Sequence, residues 1–104
     1  MAPKIISSKA EFDATISLPV AVVDFYATWC GPCKVIAPSF AKWSDIYTNV
    51  VFAKVDVDEL PDVAEQAKIR AMPTFQIYKN GQLETEIVGA KAADLETAIS
   101  KANQ

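Results

Sequence analysis

The chain has 104 residues, enough for one domain with a substantial core, and we expect a single domain over residues 1–104. With 51% hydrophobic and 22% charged residues, its composition is that of a globular protein and not of a disordered one. The net charge of −3 argues against nucleic acid as a partner, and no apolar run is long enough to span a membrane.

Strands and helices alternate in the first half of the chain. After a short apolar strand over residues 4–6, Ser8 and Glu11 have the S-x-x-E spacing of a capping box that opens a helix. Residues 20–27 and 50–57 are β-branched and aromatic runs, typical of strands that are buried on both faces. A helix with an apolar stripe lies between them, which predicts a parallel pair with a right-handed connection.

The second half predicts a different pairing. A third helix begins near residues 58–61, and two strands over residues 74–79 and 82–88 flank Asn80-Gly81, a strong two-residue hairpin signal. Gly89 ends the last strand, and an amphipathic helix closes the chain. The resulting order βαβαβαββα predicts an α/β fold with a central mixed five-stranded sheet flanked by four helices.

The two cysteines of the chain belong to the sequence Trp29-Cys30-Gly31-Pro32-Cys33, where the first long strand meets the second helix. Cys33 opens the apolar stripe of that helix, so it should face the interior. Cys30 lies just outside the helix, where free N–H groups and the helix dipole favour a thiolate. We therefore expect Cys30 to be the nucleophile and Cys33 the resolving thiol of a pair that cycles between dithiol and disulfide.

Two other interpretations of these cysteines remain open. Half of a structural zinc site is one, although zinc needs four ligands and the chain has no His and no third Cys. A pair of inert buried cysteines is the other. Because no cysteine is left for structural bridges and the N-terminus has no signal-peptide pattern, we expect a reducing compartment, with the cytosol as the default.

Asp24 and Lys54 are charged residues in the middle of the predicted buried strands, where charged side chains are uncommon. A carboxylate at Asp24 would lose hydration, so its pKa should be raised, as suits a base that exchanges the proton of Cys33. Lys54 lies in the middle of the second long strand, and pairing with Asp24 would explain both residues and tune the carboxylate. The alternatives are an Asp24 that is satisfied by neighbouring donors and a Lys54 that extends to the sheet edge.

A small apolar surface around Cys30 is expected to bind substrate. Without family context, ordinary packing explains Trp29, and strand termination explains Gly89, equally well. A flat uncharged patch would suit an enzyme that meets many protein disulfides. The candidate residues are Trp29, Gly31, Pro32, Met72, Val88, Gly89 and Ala90.

Over practically its whole length, the sequence resembles the thioredoxin family, and its eukaryotic branch in particular. The resemblance is carried by the WCGPC motif at 29–33 with Lys34, Asp24, Lys54, Met72-Pro73-Thr74 and Gly89. Tyr26 and Ala71-Met72 depart from bacterial members, which usually have Trp and Gly-Ile there. The resemblance implies a thioredoxin fold and a protein disulfide reductase that carries electrons as a dithiol.

The resemblance also implies roles and partners. The family's matching Asp assists deprotonation of the buried cysteine, its proline at Pro73 is cis against the disulfide, and the preceding residue pairs its backbone with substrate. Electrons would come from NADPH through thioredoxin reductase and pass to acceptors such as peroxiredoxins, methionine sulfoxide reductases and ribonucleotide reductase. We expect a cytoplasmic monomer whose only redox group is the Cys30-Cys33 disulfide, with no metal and no bound cofactor.

Two rival functions remain open at this point. An oxidase or isomerase would use the same thiols at a higher reduction potential, although Gly-Pro between the cysteines favours the reducing end by family analogy. A binding module would use the surface without the chemistry, and its activity would survive replacement of both cysteines by serine.

Overall fold

The computed structural model describes residues 2–104. In chain order, the elements are β1 (Lys4–Ile5), α1 (Lys9–Ile16), β2 (Val20–Tyr26), α2 (Gly31–Ile46), β3 (Val51–Asp56), α3 (Pro61–Gln66), β4 (Thr74–Lys79), β5 (Gln82–Val88) and α4 (Ala92–Ala102). This is the predicted order, and the number and type of elements are confirmed. The two long strands are each shorter than predicted, and α3 begins only at Pro61.

One mixed sheet has the strand order β1-β3-β2-β4-β5. Strand β2 lies at its centre. It is parallel to β3, as the sequence pattern predicts, and its other neighbour is β4, to which it is antiparallel. The turn between β4 and β5 has positive φ at both Asn80 (52°) and Gly81 (85°), the backbone that Asn-Gly adopts most readily.

The sheet separates two hydrophobic cores. On one face, β2 and β4 pack against α2 and α4 around Phe40, Phe75 and Leu95. On the other face, α1 and α3 cover Phe12, Phe25 and Val63. Because β2 is covered on both sides, its residues from Ala21 to Phe25 are all buried, which is why the strand could be recognised as an uninterrupted apolar run.

The predicted capping box at α1 forms only in part. The Ser8 hydroxyl accepts the backbone N–H of Glu11, as expected of an N-cap. The Glu11 carboxylate, however, accepts from the N–H and the hydroxyl of Ser7, not from the N–H of Ser8. The reciprocal bond is therefore made one residue earlier than the motif predicts.

Candidate active site

Cys30 and Cys33 form a disulfide at the carboxyl end of the central strand, with their Cα atoms 5.3 Å apart. Strand β2 ends at Tyr26 and α2 begins at Gly31, so Cys30 is the N-cap of α2 and Cys33 lies in its first turn. Pro32 occupies the first turn, where the missing N–H costs no hydrogen bond. The junction between strand and helix thus places both sulfur atoms at one helix N-terminus.

The two cysteines differ in their position on the helix but hardly in their exposure. Cys30 is 5% exposed and Cys33 is 4% exposed, so the expected difference in accessibility is not seen in the disulfide form. Once the two sulfurs are bonded they cover each other, and Ala27 and Met72 pack around them. Their hydrogen bonding does distinguish them, because the Cys30 Sγ accepts the backbone N–H of Cys33 at 3.2 Å.

Asp24 lies on β2, six residues before Cys30, and is only 1% exposed. Neither of its carboxylate oxygens has a hydrogen-bond partner among residues 2–104. Burial raises the pKa of Asp24 to about 7, against the weaker opposing effect of the positive charge on Lys54. The raised pKa expected from the sequence is confirmed. The alternative, in which neighbouring donors bond the Asp24 carboxylate, is wrong for the described residues.

Lys54 is the β3 residue directly opposite Asp24 in the sheet register. The expected direct pairing is wrong: no hydrogen bond joins the two side chains, and the Lys54 ammonium lies over the Tyr26 ring, 4.6 Å from its centroid. The aromatic face offers the ammonium a contact that leaves it partly hydrated, while a bond to Asp24 would bury both charges. Lys54 therefore acts on Asp24 through space.

A cavity of about 240 Å³ opens between α2 and the ends of β2 and β3. It reaches Cys33 from the side of Lys54, and its remaining lining is Tyr26, Ala27, Thr28, Lys34 and Ala37. Alternate residues of a strand share one face, so Asp24 lies on the same face of β2 as Tyr26. The cavity is a space through which water can approach the buried part of the site.

Trp29 is the most exposed of the expected substrate-binding residues that have large side chains, at 68%. Its indole N–H donates to the Asp58 carboxylate at 2.9 Å, so the ring is held in place on the surface. Asp58 belongs to a loop in which the Asp56 carboxylate accepts the N–H groups of Asp58 and Glu59. Ordinary core packing of Trp29, the alternative left open by the sequence, is therefore excluded.

The other expected surface residues come from the start of α2, from the loop before β4 and from the end of β5. The Met72–Pro73 peptide bond is cis, as the resemblance implies. Met72 packs against the cysteine pair, and the Gly89 N–H donates to the Pro73 carbonyl at 2.8 Å, which brings the end of β5 alongside. Gly31, Pro32, Val88 and Ala90 are exposed.

Gly89 has φ +98°, a conformation that residues with a Cβ rarely adopt. A Cβ at this position would meet nothing within 4 Å, so backbone conformation, and not lack of space inside the protein, calls for glycine. Gly89 directly follows the end of β5 and leaves open space in front of its backbone.

In residues 2–104, no group of three or more His, Cys, Asp or Glu side chains is placed to hold a metal ion. Within the same residues, no helix is both long and apolar enough to cross a membrane.

Comparison with known proteins decides the family. The thioredoxin family model matches residues 3–101. The chain is 54% identical to the thioredoxin of Coprinus comatus over 101 residues, covering 94% of this chain and 95% of that one. The chain belongs to the thioredoxin family. It is therefore a thiol-disulfide oxidoreductase, a dithiol carrier whose redox centre is the Cys30-Cys33 pair.

Solved thioredoxin structures agree with this fold. The oxidised thioredoxin of Plasmodium falciparum superposes with a TM-score of 0.93 at 46% identity, covering 99% of this chain and 100% of that one. A chain solved in work on the thiol-resolving mechanism of yeast mitochondrial 1-Cys peroxiredoxin gives 0.91 at 42% identity, with coverages of 95% and 94%. The predicted thioredoxin fold is confirmed.

One buried residue of β4, Gln76, was missed by sequence reasoning. It lies in the strand predicted over residues 74–79, where a polar residue between Phe75 and Ile77 fits a strand with one solvated face and so indicates no special role. The signal that could have identified it is the position of β4 in the sheet. This strand lies between β2 and β5 and is covered on both faces, so a polar side chain in its middle must be buried.

Proposed function

We propose that this thioredoxin-family protein reduces protein disulfides with Cys30 as the attacking nucleophile and Cys33 as the resolving thiol. The observation that carries the proposal is the hydrogen bond from the Cys33 N–H to the Cys30 Sγ at the start of α2. A thiolate at Cys30 gains from this donor and from the positive end of the helix dipole. Cys33 lies inside the first turn of α2, so its sulfur is not at the N-cap position that favours a thiolate.

The reaction consists of two exchanges. The Cys30 thiolate attacks one sulfur of the substrate disulfide, which breaks that bond, forms a mixed disulfide and releases the first substrate thiolate, protonated by solvent. The Cys33 thiolate then attacks the Cys30 Sγ and displaces the second substrate thiol. The substrate gains two electrons and two protons, and the Cys30-Cys33 disulfide is left behind.

Asp24 supplies the base for the second exchange in this proposal. With a pKa of about 7, it is partly ionised at neutral pH and able to accept the Cys33 proton. Its unpartnered oxygens favour transfer through water from the cavity beside Cys33. Lys54 tunes the base, since its charge holds the pKa of Asp24 below the value that burial alone would give.

The substrate-binding surface of the proposal surrounds the disulfide. Trp29 is held by its hydrogen bond to Asp58, and Met72 packs against the cysteines just before the cis bond to Pro73. An extended substrate segment would pair its backbone with Met72, as the family resemblance implies. The remaining members of this surface are Gly31, Pro32, Val88, Gly89 and Ala90.

We further propose that the chain works as a single domain and a monomer in the cytoplasm. Electrons would reach it from NADPH through thioredoxin reductase, the general arrangement in this family. Peroxiredoxins are proposed acceptors, supported by the similar chain from the yeast peroxiredoxin work. Methionine sulfoxide reductases and ribonucleotide reductase are proposed on the family resemblance alone.

Two serine variants test the assignment of the cysteines. The reduced wild type, Cys30→Ser and Cys33→Ser are each mixed with insulin as a test protein disulfide, quenched with acid and analysed by mass. We expect Cys30→Ser to be inactive and Cys33→Ser to accumulate a covalent adduct with insulin. If both variants behave alike, the two roles are wrong.

Asp24→Asn tests the base. It should leave the attack by Cys30 intact and slow the second exchange at pH 7, so that the mixed disulfide persists for longer than in the wild type. An unchanged rate of resolution at that pH would remove Asp24 from the mechanism.

A further inference from the structure

Gln76 is a polar residue buried in the middle of the sheet, at 1% exposed. Both ends of its amide have partners. Its Nε2 donates to the Ala67 carbonyl at 3.1 Å and to the Glu86 carboxylate at 2.7 Å, and its Oε1 accepts the Tyr78 hydroxyl. A buried amide is retained at little cost only when it is bonded in this way.

The bond to Ala67 closes a loop that leads to the active site. Residues 67–73 connect α3 to β4, and Ala67 is the C-cap of α3, where helix carbonyls lack partners within the helix. The loop ends with Met72, which packs against Cys30 and Cys33, and with the cis bond to Pro73. The side chain of Gln76 therefore joins the beginning of this loop to the strand at its end.

A second side chain of β4 holds the same loop nearer to the disulfide. The Thr74 hydroxyl donates to the Ala71 carbonyl at 2.7 Å. Thr74 and Gln76 are two residues apart and so lie on the same face of β4. Two side chains on one face of β4 thus hold the loop at two points before Met72: Gln76 bonds the Ala67 carbonyl, and Thr74 bonds the Ala71 carbonyl.

Packing of the core does not require an amide at residue 76. The neighbouring core on this face of the sheet contains Phe12, Val63 and Tyr78, so a side chain of equal size without polar atoms would fit its surroundings. What the amide adds is a fixed distance between α3 and β4, and hence the placement of the loop between them.

We propose that Gln76 is a positioning residue for the docking of protein substrates, acting through the loop of residues 67–73. This inference rests on the proposed function, because it assumes that substrate segments bind beside Met72. Loss of the bond to Ala67 leaves the cysteines in place but lets the docking surface shift against them. The variant should therefore bind protein substrates more weakly without losing its chemistry.

Gln76→Met tests this, since it keeps the length of the side chain and removes both donors. Single-turnover oxidation of the reduced protein is measured against insulin concentration. We expect the half-saturating concentration to rise about fivefold, the equivalent of one neutral hydrogen bond, with the maximal rate within about twofold of the wild type. Hydrogen exchange should become faster in residues 68–72.

Tyr78→Phe is the matched control within the same network. It removes the hydroxyl that Gln76 accepts but leaves the bond to Ala67, so its half-saturating concentration should stay within about twofold of the wild type. Thr74→Val is a second test in case Gln76→Met does not fold. It breaks the bond to Ala71 in a side chain of the same shape, and it should raise the half-saturating concentration while sparing the maximal rate.

Three results would overturn the inference. They are an unchanged half-saturating concentration in Gln76→Met, an equal rise in Tyr78→Phe, and a loss confined to the maximal rate. Failure of the proposed function itself would look different, because the wild type would then not reduce insulin at all.

Discussion

The buried carboxylate of Asp24 makes the protein less stable as the pH rises, and Asp24→Asn should reverse this. In the unfolded chain the group titrates near its ordinary value of 3.8, and in the folded chain its pKa is raised to about 7. Between these values the folded state holds a proton that the unfolded state has lost. Folding stability therefore falls as the pH rises from about 4 to about 7, and the loss is complete above that range.

The magnitude follows from the difference between the two pKa values, about 7 minus 3.8, or about 3. At 1.36 kcal/mol for each unit, the full penalty is about 4 kcal/mol at pH 8, of which about 1.5 kcal/mol is already present at pH 5. Asparagine has nearly the shape of the neutral carboxyl group and carries no charge. The variant should therefore gain about 2–3 kcal/mol more, relative to the wild type, at pH 8 than at pH 5.

Urea unfolding of the disulfide form at a series of pH values measures this directly. The stability curves of the wild type and Asp24→Asn should converge below pH 4 and separate up to pH 7. Asp13→Asn is the control, since hydrogen bonds from Lys9 and Gln66 lower the pKa of Asp13. Its stability relative to the wild type should stay constant from pH 5 to pH 8. A constant difference for Asp24→Asn over that range would mean that the carboxyl group of Asp24 does not titrate with a raised pKa in the folded protein.

Three further changes have defined outcomes. Lys54→Met removes the positive charge that opposes the effect of burial, so the pKa of Asp24 should rise further, as NMR titration of its carboxyl carbon would show. An unchanged pKa would mean that Lys54 does not tune Asp24. Gly89→Ala should lose about 1–2 kcal/mol of unfolding free energy, because φ is +98° there; a variant as stable as the wild type in urea would show that the backbone tolerates a Cβ. Leu95→Ala empties a fully buried position in the core beside α4 and should cost about 2–5 kcal/mol by the same assay, whereas a cost below 1 kcal/mol would mean that the core collapses around the gap.

Much of the fold could be predicted because several local signals agree. The Asn80-Gly81 turn fixes the antiparallel pairing of β4 and β5, and the apolar run of β2 marks a strand covered on both faces. The S-x-x-E pattern located the start of α1 but not the partner of Glu11. That choice depends on how the chain before Ser8 approaches the helix, which no local pattern specifies.

The site was predictable where the sequence determines the local backbone. Cys30 and Cys33 are three residues apart across a helix start, so the spacing alone brings them together. The relation between Asp24 and Lys54 was predictable only in part. Register places them side by side, but whether the ammonium turns to a carboxylate or to the Tyr26 ring depends on which contact keeps it hydrated.

Contacts between distant segments could not be predicted from the sequence. The bond from Trp29 to Asp58 joins two loops, and the bond from Gln76 to Ala67 joins a strand to a helix end. Each depends on how elements stack after folding, and the residue types alone do not indicate it. Exposure also differed from expectation, since the disulfide buries both cysteines almost equally.

The two sulfurs are expected to differ in reactivity because Cys30 is the N-cap of α2 and Cys33 lies inside its first turn. The most direct test is alkylation of the reduced, folded wild type with limiting iodoacetamide at pH 7, with each site located by peptide mass analysis. We expect Cys30 to be labelled first and Cys33 at least about tenfold more slowly, because the thiolate is the reactive form and only Cys30 lies at the N-cap of α2. Labelling of both cysteines at equal rates would contradict it.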